Sequence, residues 1–309
     1  MYDISKKVLQ SIIVIIFLIS VTSCSKEHNE LKWTAINVCN GIQGDAHLVY
    51  KGNKHYLIDT GEHKQAEKYL IPYLKRIGVK VLDGIIITHP HFDHYGGTVS
   101  LLQSDIVIKN VYMNMPTEEQ MQKEWWGGKY RHLVQIQDVA KEKHVPLLPI
   151  RQGDRYNFDE KSYIEVLYAY NGIDTPVGKT DINDMSAIMM IHDDKNRFLL
   201  AGDLNKKLGH YLADHAKNIK ADILKAPHHG AEEFAPNEFF EKVSPKALIV
   251  PAQKSLWCSK RSKRTKELSK KYHYTTYISG FHGHITVTSY NNQYNITTEK
   301  KPENICKEE

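Results

Sequence analysis

The sequence predicts a mixed α/β fold in one large domain, and three observations support this prediction. Short apolar runs rich in β-branched residues recur along the chain, and each has the length of a strand. Helix-length segments lie between several of them, the first an amphipathic one at residues 65–77. No internal repeat, low-complexity segment or linker divides the 309 residues, which suffice for a substantial core.

The N-terminal 23 residues have the pattern of a secretory signal. Lys6 and Lys7 precede an apolar run at residues 8–21, which is shorter than the roughly 20 residues of a spanning helix. The run ends in Val-Thr-Ser before Cys24, an end that resembles a bacterial lipobox and implies lipidation of the Cys24 thiol. An uncleaved anchor helix is the alternative. Either way, we expect the rest of the chain outside the cytoplasm.

The remaining chain divides into three parts. Residues 24–32 are a polar tether, residues 33–300 the folded domain and residues 301–309 a polar tail. Besides Cys24, the chain contains Cys39, Cys258 and Cys306, of which at most one pair can form a disulfide within the chain.

Strands are predicted at residues 33–38, 46–50 and 55–58, ahead of the helix at 65–77. The third strand ends in Asp59-Thr60-Gly61. Asp59 is therefore a candidate to orient a metal-bound imidazole, although it could simply cap the helix that follows.

The next strand, at residues 84–88, leads into the most informative stretch of the chain. Within six positions this loop carries His89, His91, Asp93 and His94. Imidazole and carboxylate groups suit divalent transition metals, and four of them exceed what one open catalytic site needs. A two-metal site is predicted, with zinc as the expected metal and manganese or iron as alternatives; a polar surface loop is the competing interpretation.

A strand at residues 106–113 and helices at 116–124 and 130–143 follow. Trp125 and Trp126, next to two glycines between these helices, are expected to line the mouth of the site or simply to pack.

The second half of the chain again shows strands followed by ligand-type residues, with strands predicted at residues 163–170, 186–192 and 197–201. Asp203 follows the last of these after a glycine, where a bridging metal ligand would lie. Asn183 and Ser186 precede the middle strand and either point toward the same site or serve a turn.

A further short strand delivers His228 and His229 into a loop. One should bind metal, while the other can hydrogen-bond a substrate oxygen or a leaving group. Strands at residues 246–251, 274–278 and 284–290 end the predicted sheet. The basic stretch at residues 254–271 is either a solvated helix face or a polyanion-binding patch, and the net charge of +5 weakly favours anionic partners.

In order, these motifs resemble the metallo-β-lactamase superfamily, and in particular the hydrolase domain of ComEC/Rec2-type competence proteins, over residues 33–290. The resemblance rests chiefly on Thr-His-Pro-His-Phe-Asp-His at 88–94, Ala-Gly-Asp at 201–203 and Lys-Ala-Pro-His-His-Gly at 225–230. It implies a four-layer αββα sandwich of two mixed sheets flanked by helices.

The resemblance also implies roles for individual residues. His89 and His91 would bind one metal; Asp93, His94 and His229 would bind the other; Asp203 would bridge them, and His228 would face the substrate. Two departures stand out. The third-motif histidine of true β-lactamases has no counterpart here, and the Gly-His-Pro stretch usual in the ComEC type is replaced by Leu-Trp-Cys-Ser-Lys at 256–260.

The expected function is a lipid-anchored phosphodiesterase with two divalent ions and a shared hydroxide, in which Asp93, Asp203 and His228 take part in catalysis. Its substrate would be DNA or a phosphate-bearing polymer or headgroup, and its membrane contact would be the N-terminal lipid. A lactam or ester hydrolase and a non-catalytic binding lipoprotein are the alternatives.

Overall fold

The computed structural model describes residues 30–39, 41–171, 181–231, 235–302 and 304–306. The predicted signal at residues 1–23, the lipidation residue Cys24 and most of the tether lie outside the described residues. No helix in the described ranges is both long and apolar enough to cross a membrane.

Two mixed sheets form the centre of the molecule. The strands are β1 Leu31–Ala35, β2 His47–Lys51, β3 Lys54–Ile58, β4 Val81–Leu82, β5 Gly84–Ile86, β6 Val107–Ile108, β7 Val111–Tyr112, β8 Leu147–Leu148, β9 Arg155–Asn157, β10 Ser162–Tyr168, β11 Ile188–Asp193, β12 Asn196–Leu200, β13 Ile223–Lys225, β14 Ala247–Val250, β15 Thr275–Ile278, β16 Ile285–Tyr290 and β17 Gln293–Thr298. Over the described residues, the first sheet has the order β17-β16-β1-β2-β3-β5-β7-β8 and the second β15-β14-β13-β12-β11-β10-β9. A short third sheet pairs β4 with β6.

Each main sheet is half antiparallel and half parallel. In the first sheet β3, β5, β7 and β8 run parallel, and in the second β12 to β15 do. Parallel strands place their carboxyl ends at one edge, so loops that follow them meet there. The loops after β5, β12 and β13 carry the predicted metal ligands.

Helices cover the outer faces of both sheets. The α-helical segments are His63–Gln65, Ile71–Arg76, Phe92–Tyr95, Thr98–Leu102, Glu118–Lys123, Tyr130–Glu142, Lys206–His215, Asn237–Val243, Lys254–Cys258, Lys263–Lys271 and Ser279–His282, with a π-helical segment at Ala66–Leu70 and 3₁₀ turns at Ile182–Met185, Pro227–Gly230 and Lys260–Ser262. The first two α-helical segments and the π-helical turn between them fill the helix predicted at 65–77.

Three apolar layers hold the fold together. Between the sheets, Trp33 of β1 stacks on Phe198 of β12 with ring centroids 6.0 Å apart. Outside the first sheet, the helix Tyr130–Glu142 buries its apolar face in one cluster, and the helix Asn237–Val243 does so outside the second sheet. Burial of this apolar surface is the main stabilising contribution. The predicted four-layer αββα sandwich is confirmed.

The structure departs from the predicted strands in several places. The strand predicted at 106–113 is two short strands in different sheets, because Asn110 breaks the run and its side-chain amide donates to Asp83 O. Among the strands not predicted from the sequence, β17 forms a hairpin with β16. Asn291 and Asn292 form the turn at φ of 50° and 61°, a left-handed conformation that asparagine tolerates.

One disulfide, Cys258–Cys306, ties the C-terminal segment to the helix Lys254–Cys258, and Cys39 is a buried free thiol. The structure thus selects one of the pairings that the sequence left open.

Candidate metal centre

The loop after β5 brings several imidazole nitrogens together. His89 Nε2 lies 3.2 Å from His91 Nδ1, and the rings of His89 and His94 are 4.1 Å apart at their centroids. All three rings are buried. The nitrogens of His89 and His91 therefore face one point, as two ligands of a single ion would.

A second set of ligand atoms forms where this loop meets the loop after β13. His229 Nε2 lies 3.3 Å from Asp93 Oδ2, and His94 Nε2 lies 4.0 Å from Asp93 Oδ1. The ligand atoms of Asp93, His94 and His229 all lie within 4.8 Å of one another. The first sheet thus supplies Asp93 and His94 to this set, and the second sheet supplies His229.

Asp203, after β12, lies between the two sets. Its Oδ2 is 3.3 Å from His94 Nε2 and 3.2 Å from His229 Nε2, and Asp203 also groups with His89 and His94 within 4.8 Å. Ser186 Oγ accepts a hydrogen bond of 2.9 Å from the Asp203 backbone N–H. Gly202 has φ of +50°, and a Cβ there would lie 2.7 Å from Ser186. Ser186 therefore fixes the backbone of Asp203.

Asp59, at the end of β3, orients two of the histidines. His94 Nδ1 donates to Asp59 Oδ2 at 2.8 Å, and Thr88 donates to the same carboxylate from its backbone N–H at 2.8 Å and its hydroxyl at 2.7 Å. The Thr88 oxygen in turn lies 3.1 Å from His89 Nδ1. With both Nδ1 atoms donating, each ring directs its Nε2 toward the site, where a bound ion would take the place of a proton.

Two further carboxylates, which the sequence analysis did not assign, orient the other histidines. Asp45 Oδ1 lies 3.2 Å from His229 Nδ1, and Glu124 Oε2 lies 3.2 Å from His91 Nε2. Asp45 stands in a Gly-Asp turn that could have suggested it, whereas Glu124 is 33 positions from His91 and no local pattern marks it.

Lys225, at the end of β13, is the third residue that the sequence analysis did not assign. It is fully buried, and its Nζ contacts Asp45 and Asp203. A lysine that ends a buried strand just before a histidine pair was the available signal.

His228 lies at the edge of the site. Its Nε2 is 3.9 Å from Asp203 Oδ2, compared with 3.2 Å for His229. Both histidines have positive φ, 47° and 55°. A left-handed conformation costs about 1–3 kcal/mol for a residue with a Cβ, and such strain clusters at functional sites.

Burial and charge shift the pKa values of the site. Burial lowers the pKa of His228 to about 4 and that of His89 well below its ordinary value, so both rings are neutral near pH 7. Burial opposes the charged forms of His94 and His229, but the carboxylates around them outweigh it and raise both pKa values well above the ordinary one. Burial likewise disfavours the Asp203 carboxylate, yet the surrounding cationic groups hold its pKa well below the usual range.

The residues present fit divalent metal ions. His94 Nε2 and His229 Nε2 are buried and make no hydrogen bond to any described residue, although both face Asp203. Buried nitrogens without a partner are costly, and an ion bound between them and the carboxylates would satisfy them. The donors are imidazole and carboxylate, which zinc, manganese and iron accept.

The Trp-Trp-Gly-Gly segment covers one side of the site. Gly127 O accepts from the Phe92 N–H at 2.7 Å, and a Cβ on Gly127 would lie 2.2 Å from His91 Cδ2. Trp125 and Trp126 remain 75% and 59% exposed, with ring centroids 6.1 Å apart at a steep angle. They border a cavity of about 380 Å³ behind the metal loop, which Phe92 also lines.

The structure therefore brings most of the predicted site residues together. These are His89, His91, Asp93, His94, Asp203 and His229, with Asp59 and Ser186 behind them and His228 at the edge. Asn183 is buried in the 3₁₀ turn Ile182–Met185, and its Oδ1 has no hydrogen-bond partner among the described residues.

Comparison with known proteins finds a superfamily match and several similar proteins. Residues 39–176 match the metallo-β-lactamase superfamily. The chain is 28% identical over 264 residues to ComE operon protein 3 of Bacillus subtilis, covering 78% of this chain and 30% of that protein. It is 27% identical over 212 residues to Recombination protein 2 of Haemophilus influenzae, covering 67% and 23%.

A solved structure supports the same fold. The metallo-β-lactamase fold protein YhfI from Bacillus subtilis superposes with a TM-score of 0.53 at 15% identity, covering 84% of this chain and all of YhfI. The chain spans about a third or less of the length of the two curated relatives. The predicted resemblance to metallo-β-lactamase and ComEC-type proteins is confirmed.

Proposed function

This chain carries a metallo-β-lactamase superfamily domain with ComEC-type competence proteins among its relatives, and from that premise we propose that it is a metal-dependent phosphodiesterase. The observation that carries the proposal is the pair of ligand sets that Asp203 joins, because its carboxylate groups with His89 and His94 on one side and lies 3.2 Å from His229 Nε2 on the other. Such pairs of sites suit phosphoryl chemistry, because they stabilise both the attacking and the leaving oxygen.

The ligand sets divide between two ions, with zinc as the expected metal. His89 and His91 would hold one, Asp93, His94 and His229 the other, and Asp203 both. When bound, the ions supply Lewis acidity and lower the pKa of a coordinated water toward about 7.

The protein's own residues would donate a hydrogen bond to the substrate and hold the metal ligands in orientation. His228 is neutral near pH 7, so its ring N–H can donate a hydrogen bond to a substrate oxygen or to the departing alkoxide. Asp59, Asp45 and Glu124 keep the other rings in their binding orientation.

Basic residues near the His-His-Gly loop support an anionic, polymeric substrate. A Cβ on Gly230 would lie 3.5 Å from the Thr265 side chain, so the helix Lys263–Lys271 packs against that loop. Residues 260–271 contain one acidic residue, Glu267, and seven basic residues: Lys260, Arg261, Lys263, Arg264, Lys266, Lys270 and Lys271. Together with the exposed Trp125 and Trp126, which can stack on bases, they favour single-stranded nucleic acid.

The proposed location is outside the cytoplasm, with an anchor at a lipidated Cys24. Disulfides persist mainly in oxidising compartments, so the Cys258–Cys306 bond supports this location. Labelling with a radioactive or alkyne fatty acid tests the anchor: Cys24→Ala should abolish labelling, and labelling that survives would contradict it.

The central experiment uses the chain from Ser25 onward. Bound metal is measured by elemental analysis, and the same sample is assayed with bis(p-nitrophenyl) phosphate, single-stranded DNA, p-nitrophenyl phosphocholine and nitrocefin. We expect about two metals per chain and phosphodiester turnover, with DNA cleavage that falls steeply as salt rises.

Asp203→Ala should lose metal and activity together. Asp222→Ala is the matched control, because Asp222 precedes β13 at its opposite end and pairs with Lys246 on the surface. Turnover of p-nitrophenyl phosphocholine alone would select a headgroup substrate, and turnover of nitrocefin alone a lactam. Absence of metal and of all turnover would leave the binding-lipoprotein alternative.

A further inference from the structure

Lys225 is a lysine held inside the metal centre. Its side chain is 1% exposed, and its ammonium group donates to Gly202 O at 2.7 Å, to Asp203 Oδ1 at 3.1 Å and to Asp45 Oδ2 at 2.5 Å. An ammonium has three N–H donors, and these three acceptors use all of them. A buried cation persists only when it is paired and hydrogen-bonded in this way.

The contact with Lys225 gives the two oxygens of the Asp203 carboxylate different partners. Oδ1 accepts from Lys225, whereas Oδ2 lies 3.2–3.3 Å from the Nε2 atoms of His229 and His94. Ser186 fixes the backbone of the same residue. Asp203 therefore presents one oxygen to the metal positions, and the other is already engaged.

The contact with Asp45 links Lys225 to a histidine ligand. One oxygen of Asp45 accepts from Lys225, and the other lies 3.2 Å from His229 Nδ1. The ligand atoms of Asp45, Asp203 and His229 also lie within 4.8 Å of one another, close enough to hold an ion. The Lys225 ammonium contacts both of these carboxylates, Asp45 and Asp203, so it occupies the position that would otherwise attract a third metal ion.

We propose that Lys225, held by Asp45, is a positioning residue that restricts Asp203 to single-oxygen bridging and excludes a third cation from the centre. This role rests on the proposed two-metal function. Its consequence is that only Oδ2 of Asp203 would be available to bound ions, because the Lys225 ammonium holds Oδ1. The sequence Lys-Ala-Pro-His-His-Gly thus supplies a metal ligand, a substrate-facing histidine and the group that orients the bridge.

Cobalt substitution tests this role, because the visible spectrum of Co²⁺ reports coordination number without any need for turnover. Wild type, Lys225→Met and the control Lys51→Met are titrated with Co²⁺. Lys51 is also a largely buried, ion-paired lysine, but it contacts Asp159, Asp193 and Ser162, away from the metal ligands. Removal of the Lys225 ammonium frees Asp203 Oδ1 and leaves every ligand in place. We expect at least two equivalents to bind with weaker, altered absorption bands, and kcat to fall about 10- to 100-fold with KM little changed.

Folding of the variant needs its own control, since Lys225→Met removes the ammonium group that pairs with the buried Asp45 carboxylate. The double variant Asp45→Asn/Lys225→Met removes both charges of the pair and should show the same altered cobalt spectrum. Either variant, folded and with the wild-type cobalt spectrum and kcat, would overturn the positioning role.

The proposed function fails in a different way. Wild-type protein that binds no Co²⁺ would overturn both that function and this role. Wild-type protein that binds two Co²⁺ without phosphodiester turnover would overturn only the substrate class, and the spectra would still decide the role of Lys225.

Discussion

Replacement of Asp59 by asparagine should invert the protonation of two metal ligands at once. The carboxylate accepts from the Thr88 N–H on one oxygen, and from the Thr88 hydroxyl and His94 Nδ1 on the other. An asparagine must keep its oxygen toward the backbone N–H, so its NH₂ group faces the hydroxyl and His94. His94 then has to accept at Nδ1 and carry its proton on Nε2, where the metal should bind.

The change reaches a second histidine through Thr88. A hydroxyl that accepts from the asparagine must donate onward to His89 Nδ1, 3.1 Å away, so His89 also becomes protonated on Nε2. A metal ion bound at Nε2 would move the ring proton back to Nδ1, where it faces another hydrogen-bond donor. This happens at two buried histidines, and each such mismatch costs about 1–3 kcal/mol. A loss of about 2–6 kcal/mol corresponds to about 30-fold to about 3 × 10⁴-fold weaker overall metal binding.

Competition with a chromophoric chelator measures this affinity in wild type and Asp59→Asn. Asp83→Asn is the control: Asp83 also accepts from a backbone N–H and from a side-chain donor, but it lies at the other end of β5. We expect Asp59→Asn to remain folded when metal-free, because asparagine tolerates the φ of +58°. A folded Asp59→Asn protein with wild-type metal affinity would refute the reasoning.

Three further predictions follow from pKa shifts and cross-linking. The raised pKa values of His94 and His229 mean that their charged forms stabilise the metal-free fold fully below about pH 6.5, and that this contribution is lost as pH rises through the raised values. Zinc binding at pH 7 should therefore release protons, which calorimetry in two buffers of different ionisation enthalpy detects; zero release would contradict the charge assignment. Burial raises the pKa of Asp184 from 3.8 to about 6, so the contribution of this carboxyl to stability should fall as pH rises between about 4 and 6, by up to about 3 kcal/mol. Urea unfolding should show this fall in the difference between wild type and Asp184→Asn, and a difference independent of pH would contradict it. Cys306→Ser opens a cross-link between residues 48 positions apart and should lower stability by about 4 kcal/mol, as measured by thermal melting, with activity unchanged; a melting temperature equal to that of wild type would count against the bond.

Sequence patterns predicted those parts of the site that are local in the chain. Four ligands lie within six positions after a strand, and Asp203 and His229 each follow a further strand of the parallel half-sheets. Strand ends meet at one edge, so periodicity and ligand chemistry were enough to group them.

The orienting residues were harder to assign, because their partners are distant in sequence. Asp45 meets His229 across 184 positions and Glu124 meets His91 across 33. Lys225 had a local signal, a charge at the end of a buried strand, but its meaning depends on two carboxylates from other loops. The hairpin β16–β17 depended on two asparagines in a left-handed turn, which are weaker markers than Asn-Gly.

The two ligand sets draw on both layers of the sandwich, since the loop after β5 belongs to one sheet and the loops after β12 and β13 to the other. Bound ions would therefore cross-link the layers along one edge, much as a disulfide joins distant parts of a chain. The free energy of metal binding would therefore add to the free energy needed to separate the two sheets along that edge. Backbone amides along that edge would then exchange hydrogen more slowly as metal concentration rises, while the far edge would be unaffected.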